Sequence, residues 1–240
     1  YKGGICVSED GGNTWKPSNT GMGDDALITS IAIDEKTQPG NRTLYATAYN
    51  RGVFKSTDDG KTWQLKNKGI NQNTCAFKII QASNGDLYFT VSITPNHESE
   101  NNAGLFYSGA VYKSTDGAES WQKLQITNEP LFPNGIAVDP DKPDRIYLTC
   151  WAGIDLSDLL GASVAKAKAG NKKIDMQGGI FLSQDGGKTW ASIFDPKQYV
   201  YDITVDPFYK GRLYCNTFNK AAYRSDNYGT TWQKIKGYDF

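Results

Sequence analysis

A single histidine, His97, is the whole imidazole complement of this 240-residue chain. A metal centre built on several imidazoles is therefore excluded, and a Ser-His-Asp triad has one position on which to rest. His97 itself stands in "PNHESENN", which reads as a polar loop. Cysteine is also scarce. Cys6, Cys75, Cys150 and Cys215 lie far apart with no CxxC spacing of the zinc or redox kind; they read as small buried hydrophobes, with their disulfide state open. Net charge is missing as well, because 26 basic residues balance 26 acidic ones and leave no field to gather nucleic acid or an anionic membrane surface. No stretch approaches the roughly 20 apolar residues of a helical membrane span. The chain opens at Tyr1 without a Met or a signal-peptide pattern, as a processed product or a fragment would.

What the sequence has in excess is repetition. An octad recurs as SEDGGNTW (8–15), STDDGKTW (56–63), STDGAESW (114–121), SQDGGKTW (183–190) and SDNYGTTW (225–232). The spacing between copies, with insertions, is on the scale of one propeller blade, about 40–50 residues. A short strand precedes each of the last four copies: "GVFKS", "AVYKS", "GIFLS" and "AAYRS". Further upstream lie pairs of strands joined by a polar turn, as in "NGIAVDPDKPDRIYLTCW" and "YDITVDPFYKGRLYCNTF", the second strand opening Leu-Tyr or Ile-Tyr. Strand, turn, strand, strand, octad and a fourth strand opening at the Trp make a four-stranded antiparallel unit. The chain is therefore expected to be all-β, a β-propeller of four-stranded antiparallel blades.

Within the octad the residue types have structural roles. Asp10, Asp58, Asp116 and Asp185, with Asn227 in the last copy, accept hydrogen bonds from the backbone of the turn between the third and fourth strands. Gly12, Gly60, Gly187 and Gly229 supply positive φ, and Ala118 takes that place in the third copy. Trp15, Trp63, Trp121, Trp190 and Trp232 offer large apolar surfaces for packing beside the neighbouring sheet. A calcium loop of the EF-hand type needs a twelve-residue ligand set that these turns lack, so no metal and no cofactor is expected.

The octad Ser-x-Asp-x-Gly-x-Thr-Trp resembles the Asp-box, or BNR repeat, of sialidases, family-74 xyloglucanases, sortilin-type receptor propellers and photosystem II assembly factors. The resemblance covers nearly the whole chain and implies the propeller fold; it is poor for function, because the same box serves enzymes, receptors and scaffolds. On that plan residues 1–22 supply half a blade, and complete blades follow at about 26–68, 74–125, 134–194 and 199–236. About four and a half blades suggest part of a larger ring, the alternative being five blades with one incomplete.

In a propeller the octads and first-to-second turns share one face, and the second-to-third loops lie on the other. Two long loops of that second kind, 92–109 and 151–178, make the opposite face the expected functional one. The longer loop is expected to carry a helix over Ser157–Ala169, either a lid or a surface helix. Trp151, outside the octads, and Tyr49 and Phe218 occupy corresponding positions just after second strands. Their rings suit the C–H faces of sugars, or alternatively plug the centre of the fold. Arg51, His97 and Asp155 complete the candidate ligand-binding set on this face.

The resemblance to family-74 enzymes implies a catalytic Asp between the second and third strands of a blade. The matching positions here hold Tyr49 and Phe218, so the catalytic residues are unassigned. Loop acids Asp24, Asp25, Glu98, Glu100, Glu129, Asp155 and Asp195 are the remaining candidates for a carboxylate pair. A sialidase needs three converging arginines; Arg42, Arg145 and Arg212 fall on octad-side turns and Arg224 within a third strand, leaving Arg51 alone. The expected function is a secreted or cell-surface propeller related to glycoside hydrolases that binds or processes an oligo- or polysaccharide through its loop face. A propeller scaffold that binds a protein or peptide is the alternative.

Overall fold

The computed structural model describes residues 3–23, 25–49, 51–70, 75–92, 109–126, 131–151, 178–218 and 221–237. The expected helix at 157–169 and most of both long loops lie outside these residues. All regular secondary structure among the described residues is β-strand.

A short ribbon, β1 (Cys6–Val7) with β2 (Lys16–Pro17), comes first, and four antiparallel four-stranded sheets follow. They are β3 (Ile28–Ile33), β4 (Leu44–Ala48), β5 (Gly52–Ser56) and β6 (Gln64–Leu65); β7 (Ala76–Gln81), β8 (Leu87–Val91), β9 (Ala110–Ser114) and β10 (Gln122–Lys123); β11 (Pro133–Val138), β12 (Ile146–Cys150), β13 (Gly179–Ser183) and β14 (Ala191–Ser192); and β15 (Val200–Val205), β16 (Leu213–Thr217), β17 (Ala222–Ser225) and β18 (Gln233–Lys234). Within each sheet every strand pairs with its neighbours in sequence. This is the blade pattern of a β-propeller.

Burial follows strand order. The second strands "LYFTV" and "IYLTC" are buried along their whole length, as strands covered on both faces must be. The two-residue fourth strands are exposed. First strands carry a bulge near their start, between Ile28 and Ser30 in β3, Pro133 and Ile136 in β11, and Val200 and Asp202 in β15.

The chain forms two compact units, Tyr1–Thr90 with Val111–Lys123, and Val91–Ala110 with Leu124–Phe240. In the first, β7 lies against β3 and β4. Thr47 Oγ1 donates to Phe77 O at 3.1 Å and Thr29 Oγ1 to Ala76 O at 3.0 Å. In the second unit, β15 lies in the same way against β11 and β12, with Thr149 Oγ1 donating to Tyr201 O at 3.4 Å. Its core gathers Tyr147, Ile180, Val200, Ile203, Leu213 and Cys215. Cys150 and Cys215 are buried free thiols; burial raises both, Cys215 to about 12.

Candidate functional site

Each octad closes on itself by the same bonds. In the fourth copy Ser183 Oγ donates to Asp185 Oδ1 at 2.8 Å and accepts from Gly187 N at 2.8 Å, while Asp185 Oδ1 accepts from Thr189 N at 2.9 Å. The Thr189 hydroxyl donates to Asp185 Oδ2. The first three copies repeat this through Asp10, Asp58 and Asp116, with Ser120 taking the threonine's place in the third. In the last copy Asn227 Oδ1 accepts from Thr231 N at 2.9 Å, and its Nδ2 donates to Thr231 Oγ1 at 2.8 Å. The Thr or Ser hydroxyl bond is the largest cause that holds the carboxyls of Asp10, Asp58, Asp116 and Asp185 down to about 2. Their oxygens are thus committed to the turn.

The fourth octad residue adds a bond to the sheet's own first-to-second turn: Asp59 N donates to Arg42 O at 3.1 Å, Gly186 N to Asp144 O at 3.0 Å and Tyr228 N to Gly211 O at 2.8 Å. That position has positive φ even where it is Asp59 or Tyr228. The tryptophans differ in their acceptors. Trp63 Nε1 donates to Ser18 O, Trp121 Nε1 to Lys66 O and Trp232 Nε1 to Ile193 O, each beyond the preceding octad's fourth strand. Trp15 and Trp190 instead donate to Gly12 O and Gly187 O of their own turns.

The opposite strand ends of the second unit carry a different chemistry. Register places Ile146 beside Ser183, where the octad starts, and Cys150 beside Gly179 at the other end. Trp151 follows Cys150 directly, and its N–H donates to Phe132 O at 3.1 Å. The indole stacks on Phe132 at 5.3 Å between centroids and 9° between planes. It also meets Phe218 at 5.7 Å and Tyr201 at 6.0 Å, both tilted. Phe132 is buried, whereas Phe218 is 63% exposed and Tyr201 42%. The structure thus brings Trp151 and Phe218 together and adds Phe132 and Tyr201. Tyr201 stands at the β15 bulge, which a strict period of two hides.

The indole Nε1 of Trp151 is buried and meets no acceptor among the described residues. A buried donor left unpaired costs about 1–3 kcal/mol. The Phe132–Trp151 stack, with Phe218 and Tyr201 inclined to it, forms an aromatic cluster partly open to solvent.

Of the other candidates, Tyr49, Arg51 and Asp25 belong to the first unit and Asp195 to the second, and the rest lie outside the described residues. Tyr49, in the first unit, is partly exposed; its N–H donates to Leu27 O at 2.8 Å, and burial followed by its bond to the Cys75 thiol raises its hydroxyl. The Arg51 guanidinium pairs with Asp25, and Arg51 O accepts from Asn67 Nδ2 at 2.7 Å. Asp195 accepts from Lys197 N at 2.9 Å and Gln198 Nε2 at 3.1 Å, an arrangement that shapes its own loop. Asp24, His97, Glu98, Glu100, Glu129 and Asp155 lie outside the described residues.

No protein-family profile matches the chain. The xyloglucanase Xgh74A of Acetivibrio thermocellus is 30% identical in a 142-residue alignment that covers 47% of this chain and 16% of that protein. The chain therefore spans well under a fifth of the length of this curated relative. Among solved structures, the GH74 enzyme of Niastella koreensis superposes with a TM-score of 0.66 at 19% identity, over 93% of this chain and 33% of that one. The GH74 xyloglucanase of Xanthomonas campestris gives a TM-score of 0.65 at 15% identity, over 95% and 34%. With its four-stranded sheets, the chain has the β-propeller fold seen in GH74 xyloglucanases.

Proposed function

We propose that this chain is an extracellular, Asp-box-type propeller segment that binds an oligo- or polysaccharide at the aromatic cluster of Trp151, Phe218 and Tyr201. The observation that carries the reading is the half-buried Trp151 ring, stacked from below by Phe132 and flanked by two exposed aromatic side chains. Similarity to xyloglucanases favours a β-glucan backbone as the ligand class. Sugar rings would lie on the exposed faces of Phe218 and Tyr201, with the Trp151 ring holding the two in place. Hydrolysis is not assigned to these residues. The two positions matched to the family's catalytic Asp hold Tyr49 and Phe218, and neither side chain can act as a carboxylic acid at the scissile bond.

Calorimetric titration with xyloglucan oligosaccharides tests the reading. Saturable binding by the wild-type chain, abolished by Trp151→Ala at a temperature where that variant is still folded, is expected. No binding to these or to other β-glucans, together with capture of a defined protein partner, would replace it with the peptide-binding alternative.

A further inference from the structure

Two Asn-Gly pairs occur in the chain, Asn84-Gly85 and Asn134-Gly135. In such a pair the glycine nitrogen is the least hindered backbone nucleophile that can attack the asparagine side-chain amide, so the fold decides which pair reacts. Asn84 is exposed in the turn between β7 and β8. Asp86 N donates to its Oδ1 at 3.0 Å, and its Nδ2 donates to Asp86 Oδ2 at 3.1 Å. The first of these bonds closes an Asx turn around the 84–85 peptide and folds the side-chain amide carbon back toward Gly85 N. It also aims an N–H at the oxygen that gains negative charge during attack. Gly85 has φ 98°, and a Cβ there would meet Lys36 Nζ alone, at 4.0 Å, so the approach is open. Gly85 N donates to Ala82 O at 2.8 Å, a bond that local opening of an exposed turn releases.

The related pairs are held shut. Asn134 is 3% exposed, its Nδ2 donates to Phe132 O at 3.3 Å, and Gly135 N donates to Thr149 Oγ1 at 2.8 Å within β11. A Cβ on Gly135 would collide with Asp202 Oδ1, which leaves no room for the peptide to pivot. The Asp-Gly pairs of the octads need a protonated carboxyl before the same ring can close. Asp10, Asp116 and Asp185 are held down to about 2, with both oxygens bonded inside their own turns, and Asp59 pairs with the Arg42 guanidinium.

We propose that Asn84 is a self-modifying site, at which Gly85 N attacks Asn84 Cγ and the chain acquires aspartate and isoaspartate, opening the β7–β8 turn. Gly85 N gives its proton to water, the N–Cγ bond forms, the Cγ–Nδ2 bond breaks, and ammonia leaves with a proton taken from water. Water then opens the cyclic imide at either carbonyl, which yields aspartate or isoaspartate. Water is the one co-reactant. Isoaspartate adds a carbon to the main chain inside a turn that Ala82 N closes by donating to Asp86 O at 2.8 Å. Either product also removes the Nδ2 donor from Asp86, the carboxylate that holds Lys113 Nζ of β9 at 2.8 Å.

Incubation of the intact chain at mildly alkaline pH, followed by peptide mapping with mass spectrometry, tests the site. Both aspartate and isoaspartate should accumulate at position 84, at a rate at least about tenfold above conversion of Asn134, while Asp10, Asp59, Asp116 and Asp185 stay α-linked. In the converted chain, amide exchange at Ala82 should quicken at least about tenfold. Asn84→Gln, whose longer side chain closes its ring far more slowly, should remove both effects. An intact Asn84 in the folded chain would overturn the proposal, and so would equal rates at Asn84 and Asn134. Aspartate without isoaspartate would also overturn it, since water rather than Gly85 N would then be the attacking group. Unchanged exchange at Ala82 after conversion would contradict the opening of the turn.

Discussion

The indole N–H of Trp63 donates to the carbonyl of Ser18 at 2.9 Å, tying the β3–β6 sheet to the chain that leaves β2. Because Trp63 is 3% exposed, the bond and the packing can be separated by substitution. Trp63→Phe should cost about 1–3 kcal/mol, for an unpaired carbonyl and some lost contact. Trp63→Ala should cost about 3–5 kcal/mol, since the cavity term is added. Urea unfolding at constant m-value checks both.

Trp15 supplies the comparison. It is 62% exposed and bonded within its own turn, so Trp15→Ala should change unfolding free energy by well under half of the Trp63→Ala effect, measured in the same way.

Acid should act through the octads in a defined direction. Folded Asp10, Asp58, Asp116 and Asp185 have pKa values depressed to about 2, below the unfolded value of 3.8. Their contribution is complete above the unfolded value and is lost as pH falls from about 4 toward 2. Carboxyl 13C shifts should titrate near 2 for these four residues. Asn227 builds the same turn with an amide, so Asp185→Asn should keep the fold and remove one of the four transitions.

Much of this was legible in the sequence because octads are local: an Asp accepting from a residue four positions on needs no knowledge of the rest of the chain. Strand order follows from the same repeat. The threonine bridges from Thr47 to Phe77 and from Thr149 to Tyr201 were not legible, since they depend on how one sheet stacks on the next. Tyr201 is not legible in the sequence because the β15 bulge shifts side-chain alternation by one residue. Phe132 lies before a first strand, and only the folded register puts it under Trp151.

Backbone conformation in the octads gives a sharper contrast between copies. Gly12 has φ 93°, and a Cβ there would meet one ring atom of Trp15 at 3.9 Å, so Gly12→Ala should cost about 1–2 kcal/mol from the left-handed conformation alone. At Gly187, φ 94°, a Cβ would also lie 2.9 Å from Leu124 Cδ1. Gly187→Ala should therefore be the more destabilising of the two in thermal unfolding.

For the aromatic cluster, Trp151→Phe retains a ring on Phe132 but has no N–H. Because Trp151 Nε1 is buried, this variant should keep Kd within about threefold, while Trp151→Ala loses detectable binding. Equal loss in the two variants would contradict binding through the ring faces.

The most direct test of the division between clasp and binding face is a crossed comparison of Asp185→Ala and Trp151→Ala, each measured for melting temperature and for xyloglucan oligosaccharide affinity. Asp185→Ala should lower the melting temperature and leave affinity unchanged in the folded range, and Trp151→Ala should abolish affinity while still folded. Loss of affinity in Asp185→Ala below its melting transition, with Trp151→Ala binding normally, would contradict the account.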